Sequence, residues 1–160
     1  MKFRCSHRSK AADGSAIYDL RFVIYDLPAE KMKRQLTLTT DRIDEAALLS
    51  KRKMSDGMGA AVYFLGVVRG IEEDRAIGAI EYEAFLRMAE HQFNLLFDQM
   101  EKRWPIESVR LVHRIGVVQV NEPSLWVEVV GPHRGEAFAA SQWLIDEMKR
   151  IVPIWKRPRA

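Results

Sequence analysis

Only two long helical patterns interrupt a chain otherwise written in strand periods, and that ratio decides the fold class. From Ala84 to Arg103 apolar residues fall at Phe85, Met88, Ala89, Phe93, Leu96, Phe97 and Met100. This three-to-four spacing predicts an amphipathic helix, ended by Trp104-Pro105. A second long helix is predicted over AFAASQWLIDEMKRIV, after the lead-in GPHRGE, and is halted near Pro153. A shorter one is read in TDRIDEAALLSKRK, with Asp44 as its N-cap, before the turn SDGMGA. KRQLTLTT alternates like a strand through Leu36 and Leu38, and AAVYFLGVV (Ala60 to Val68) reads as a buried strand. RGIEEDRAIG is read as a polar loop and AIEYEAF as a strand, with VRLVHRIGVVQV and SLWVEVV separated by the turn NEP. The order β-α-β-β-α-β-β-α has too few helices for regular βαβ alternation. It predicts an α+β fold with a largely antiparallel sheet.

At 160 residues the chain is read as one domain with a substantial core. Residues 1–33 stand apart. MKFRCSHRSKAADGS is polar and aperiodic, and AIYDLRFVIYDLPAEK has a strand-like run broken at Pro28. Two readings stay open there: a leader ahead of a true start at Met32, or an added edge strand or disordered extension. The division expected is 1–33 as extension and 34–160 as the domain. One cysteine, Cys5, excludes an internal disulfide and a cysteine-based metal cage and suits a reducing compartment. No run approaches the ~20 apolar residues that span a bilayer, and the opening stretch lacks the apolar middle of a secretion signal. A cytoplasmic location is expected. The net charge of +3 is too small to demand a nucleic-acid partner.

Anion-binding and proton-moving residue types gather in three places. Arg69 ends a buried strand in GVVRG, where it equally suits a solvated loop. His133 and Arg134, in GPHRGEAF, stand at a helix entrance, where free N–H groups and the macrodipole favour an anion; capping is the bland account. In MKRIVPIWKRPRA, Lys149 occupies the last helical turn and Lys156 follows beyond Pro153. The helix dipole alone accounts for a cation at that end. A lysine crowded by cations also titrates lower, as a lysine base or nucleophile requires. His113-Arg114 is read as a structural strand pair, and Glu72, Glu73 and Asp74 as loop solvation. No Gly-rich phosphate loop, metal-binding histidine pair or nucleophile elbow is present.

In order, the segments GVVRG, IEYEAFLRMAE, RWPIESVRLVHRIG and GPHRGEAFAASQWLIDEMKRIVPIWKR are similar to the large, catalytic subunit of molybdopterin synthase. The resemblance runs from Leu36 to Arg157. It implies a hammerhead-type fold and a homodimer. It also implies that each large subunit takes a small ubiquitin-like subunit, completing a heterotetramer. The C-terminal Gly-Gly of that partner carries a thiocarboxylate whose sulfur converts cyclic pyranopterin monophosphate into the molybdopterin dithiolene. A sulfur transferase ordinarily suggests a catalytic cysteine. Sulfur delivered on a partner's tail asks instead for a cationic pocket and a proton-transfer group. No cofactor and no metal is expected.

By the same resemblance, Lys149 matches the family's helical lysine, a general acid/base or transient nucleophile. Lys156 matches the lysine of the WK pair, stabilising charge. His133 and Arg134 match a phosphate-binding pair, and Arg69 an arginine after G-x-V. Val67 and Val68 are expected to supply backbone contacts, and Arg157 to adjoin the pocket. Pro158 stands where an acidic residue is usual, Gly70 replaces Asn or Asp, and relatives usually continue past the position of Ala160. Those departures motivate an alternative: a non-catalytic paralogue that binds the ubiquitin-like partner or the pterin without converting it. Neither nucleic acid nor membrane is an expected partner.

Overall fold

The computed structural model describes residues 31–160. Residues 1–30, with Cys5 and the strand-like run before Pro28, lie outside the described residues. Twelve elements follow: β1 (Lys33–Thr39), α1 (Glu45–Ser50), β2 (Ala60–Val67), β3 (Ile71–Glu72), β4 (Arg75–Ala76), β5 (Ala79–Ala84), α2 (Leu86–Arg103), β6 (Ser108–Arg114), β7 (Gly116–Gln119), β8 (Pro123–Gly131), α3 (Arg134–Ile151) and β9 (Ile154–Arg159). The strands form a four-stranded sheet in the order β1-β6-β8-β2, a three-stranded sheet β7-β5-β9 and the small ribbon β3-β4. Every pairing is antiparallel except β1 with β6, so the α+β reading with a largely antiparallel sheet holds.

The larger sheet and the two long helices enclose the main core. On α2 the buried residues Ala89, Phe93, Leu96, Phe97 and Met100 follow the helical period, and α3 contributes Ala140, Leu144 and Met148. They pack on Val109 and Leu111 of β6 and on Leu125, Val127 and Val129 of β8. Met32, just ahead of β1, already belongs to this core. Phe85 and Met88, counted in the apolar stripe, are exposed, whereas Ala89 beside them is buried. α2 begins at Leu86 rather than Ala84. Asp44 does cap α1, its Oδ1 accepting from the Ala47 N–H at 2.9 Å.

β8 is buried on both faces, which is why SLWVEVV lacks polar alternation. Its one charge, Glu128, is 1 % exposed. Arg110 of β6 lies opposite and donates through Nε and Nη2 to both carboxylate oxygens, at 2.7 and 2.9 Å. Arg110 also donates to the Leu48 carbonyl at 2.8 Å and lies over the Trp126 ring, 5.0 Å from its centroid. Tyr63 of β2 is the register partner of Glu128 from the other side, and its hydroxyl accepts from Arg52 at 2.8 Å.

Three segments depart from the sequence reading. VRLVHRIGVVQV is two strands in two sheets, broken at Gly116, whose φ of +79° suits glycine. The loop RGIEEDRAIG contains the hairpin β3-β4, turned through Glu73 and Asp74, both at positive φ. Most consequential, IWKRPR is a strand. β9 pairs with β5 in the register Lys156↔Tyr82 and Pro158↔Ile80. The Phe85 N–H donates to the Pro153 carbonyl at 3.2 Å and the Gly78 N–H to the Arg159 carbonyl at 2.9 Å. Odd-numbered residues of β9 thus turn their backbone toward β5, and Pro158 falls where an N–H would face away. It removes no ladder bond.

Arg110→Met leaves Glu128 buried without its partner and is expected to lower unfolding stability by about 3–5 kcal/mol. Urea denaturation checks this. The double variant Arg110→Met/Glu128→Leu is expected to recover most of that loss, since the unpaired charge is then gone.

Candidate functional site

The two sheets do not merge, and the gap between them becomes a cleft. β2 leaves β8 through an irregularity at Gly66/Val67, where the register moves from Leu125 to Pro123. A side chain at Gly66 would press on the Leu125 Cβ at 3.2 Å, so any larger residue there would have to push Leu125 aside by a few tenths of an ångström. The bulge sends Val67, Val68 and Arg69 toward the second sheet. Opposite them, α3 ends at Ile151, and Pro153 turns the chain into β9 alongside β5. A cavity of about 660 Å³ results, lined by these three residues together with Lys149 and Lys156. That size suits a small organic ligand.

Five of the eight residues singled out from sequence therefore share one cleft: Val67, Val68, Arg69, Lys149 and Lys156. Pro153 does bring Lys156 back to the side of α3 that carries Lys149. The other three are not brought there. His133 and Arg134 occupy the opposite end of α3, about 22–24 Å from Lys149 at 1.5 Å per residue. Arg157 alternates to the other face of β9, where its guanidinium meets Glu83 at 3.0 Å.

The sequence reading missed Glu72. Its side chain is 10 % exposed, and its carboxylate pairs with the Lys156 ammonium through one oxygen and with Arg69 Nη2 through the other, at 3.3 Å for the latter. The Lys156 ammonium first, and Arg69 after it, hold the Glu72 carboxyl below the usual carboxylate range against the opposing effect of burial. Lys156 thus has a carboxylate as its charged contact rather than a second cation. No loop-composition signal distinguishes Glu72 from Glu73; only the alternation of Ile71 and Glu72 hinted at a strand.

The floor of the cleft is polar but organised. Tyr82 donates to Ser124 Oγ at 3.2 Å, and Ser124 donates to the Gly66 carbonyl at 3.3 Å, tying the second sheet to the bulge. His113 lies edge-on to Tyr82, with ring centroids 5.3 Å apart. Its Nδ1 is 2.8 Å from the Arg114 carbonyl. A carbonyl only accepts, so Nδ1 carries the proton and the neutral ring keeps its lone pair on Nε2. Burial holds the His113 pKa below the usual 6.5, outweighing the opposing pull of that carbonyl. His113 was read as a structural strand residue, and it is also a wall of the cleft.

Comparison with known proteins gives concordant results. The family model described as MoaE protein matches residues 38–151. The molybdopterin synthase catalytic subunit of Staphylococcus carnosus is 38% identical over 99 residues, covering 62% of this chain and 66% of that one. The subunit of the same name from Bos taurus is 34% identical over 130 residues, covering 80% and 67%. The chain therefore spans about two thirds of the length of these relatives. The X-ray structure of molybdopterin synthase from Staphylococcus aureus superposes with a TM-score of 0.67 at 29% identity, over 81% of this chain and 90% of that one.

A depressed histidine pKa has a thermodynamic consequence. Between the folded value and about 6.5 the unfolded chain binds more protons at His113, so stability falls as pH drops through that window. Thermal melts from pH 7.5 to 5.5 are expected to show a declining midpoint, and His113→Gln is expected to flatten the decline. The carboxylates held low, Glu72 among them, act at lower pH and leave this window separate.

Proposed function

The chain belongs to the MoaE family, and from that premise we propose that it is the catalytic subunit of molybdopterin synthase. In this reading it takes sulfur from the C-terminal thiocarboxylate of a small ubiquitin-like subunit. It delivers that sulfur to cyclic pyranopterin monophosphate, forming the dithiolene. The observation that carries the proposal is the convergence of Arg69, Lys149 and Lys156 on one cleft, the first from the end of β2 and the other two from the consecutive elements α3 and β9. Among the described residues no cysteine lines that cleft, as suits sulfur that arrives on a partner. A relative named as a catalytic subunit presupposes a second subunit, and the compartment proposed is the cytoplasm. Among the described residues no helix is long and apolar enough to cross a membrane.

The assigned roles follow the chemistry of each group. Lys149, at the rim where α3 ends, serves as general acid/base or transient nucleophile at the reacting carbon. Lys156 and Arg69 offset negative charge on substrate and intermediates, and the Val67–Val68 backbone shapes the wall. His133 and Arg134 retain the phosphate-binding role, but not toward the cleft of their own chain. At about 22–24 Å along α3 they reach a reacting centre only across a dimer, in the cleft of the second copy. Arg157 is withdrawn from direct contact with substrate, since its side chain lies on the far face of β9. The alternative of a binding-only paralogue took part of its motivation from Pro158, and Pro158 fits β9 without loss of a ladder bond.

Lys149→Ala is expected to reduce dithiolene formation from precursor and thiocarboxylated small subunit by about 10²-fold or more, while dimerisation is retained. Turnover at the parent rate removes the assignment. Mixing Lys149→Ala with Arg134→Ala chains tests the cross-dimer arrangement. Each heterodimer is expected to regain about half of the parent activity, because one of its two sites is then intact. No regain places the two residues in one site of one chain.

A further inference from the structure

We propose that Glu72 is the resident counter-ion of the cleft, and that an anionic group of the incoming ligand takes its place on Lys156 and Arg69. This rests on the functional reading only for the identity of the ligand; the competition itself follows from the contacts.

Glu72 stands on the hairpin β3-β4, a ribbon that pairs with neither larger sheet. The outward residue of that ribbon, Ile71, is 61% exposed, so it adds little apolar packing. The tip is carried by Glu73 at φ 49° and Asp74 at φ 61°, a left-handed conformation that glycine or asparagine adopts more readily. Among the described residues, the hairpin's only side-chain hydrogen bonds are those of Glu72, to Arg69 and to Lys156. Lys156 is 84 residues away in sequence, so that contact joins the ribbon to β9 across the cleft.

The cations themselves stay accessible, with side chains 77% exposed for Arg69 and 54% for Lys156, while the carboxylate between them is tucked in. A carboxylate in that position presents negative charge and acceptor oxygens to the two cations, as a ligand phosphate or a C-terminal carboxylate does. Both cannot hold the two cations at full strength. A ligand anion therefore displaces Glu72, and its departure frees the hairpin. The latch sets how strongly an anion must bind before the cleft opens to it.

Glu72→Gln keeps size and hydrogen-bonding capacity and removes the competing charge. Titration calorimetry on the full chain without its small subunit is the direct test, with inorganic phosphate in one arm and a synthetic peptide ending in a Gly-Gly carboxylate in the other. Glu72→Gln is expected to tighten the anion that uses this seat by about threefold to tenfold. Glu73→Gln, the same charge change on the same turn, is expected to shift affinity less than twofold (~RT ln 2). The arm that responds identifies whether phosphate or carboxylate is the natural displacer. In hydrogen exchange, protection of the Ile77 amide, which bonds the Gly70 carbonyl across the hairpin base, is expected to fall in Glu72→Gln without ligand and in the parent only with it. Equal or weaker binding by Glu72→Gln in both arms overturns the proposal, as does an equal gain in Glu73→Gln. Dithiolene synthesis by the parent chain is read separately, so loss of this inference leaves the assigned function standing, and the reverse.

Discussion

Glu128 is a charge that the fold cannot leave alone. Sealed within β8, it is satisfied only if β6 places Arg110 opposite it, and β2 puts Tyr63 on its other side. A slip of one residue between these strands would turn every side chain to the wrong face and leave a carboxylate unpaired in the interior. The pair therefore fixes the register of three strands at once. Once that register is set, the place where β2 departs from β8 is set too, and with it the point at which Arg69 emerges.

The second sheet forms the other half of the cleft. Its small core of Val68, Ile80 and Val118 is separate from the large one under the helices. The two are joined across the cleft floor by the Tyr82–Ser124–Gly66 hydroxyl chain and by Ile154 of β9, which packs on the large core. Because β5 lies between β7 and β9, a single strand supports both the floor, through Tyr82, and the wall that bears Lys156. Helix end, bulge and sheet edge each contribute one cation to a space that none of them encloses alone.

What the sequence made legible was whatever has a period. The core face of α2, the buried β8 and the cap at Asp44 were all readable, because helix and strand spacing and capping chemistry are local. β9 was not, since four charged or proline residues out of six follow no apolar alternation, and its pairing with β5 is a long-range matter. Glu72 was lost for a similar reason: composition cannot separate a solvated glutamate from one that meets a lysine 84 positions on. Resemblance gathered eight candidate residues, and five of them share the cleft. It carried no information that His133 and Arg134 lie a full helix length from Lys149, nor that Arg157 faces away.

The position of Pro158 has a further consequence for the chain's behaviour in a crowded solution. β9 is an outer strand of its sheet, and such a strand can act as a template on which another molecule adds its own. Of the three backbone positions it turns outward, Ile154, Lys156 and Pro158, one lacks an N–H and another carries a charge. A foreign strand laid along this edge would meet a missing donor and a cation within three residues. Pro158 thus helps keep this edge from zipping onto another strand.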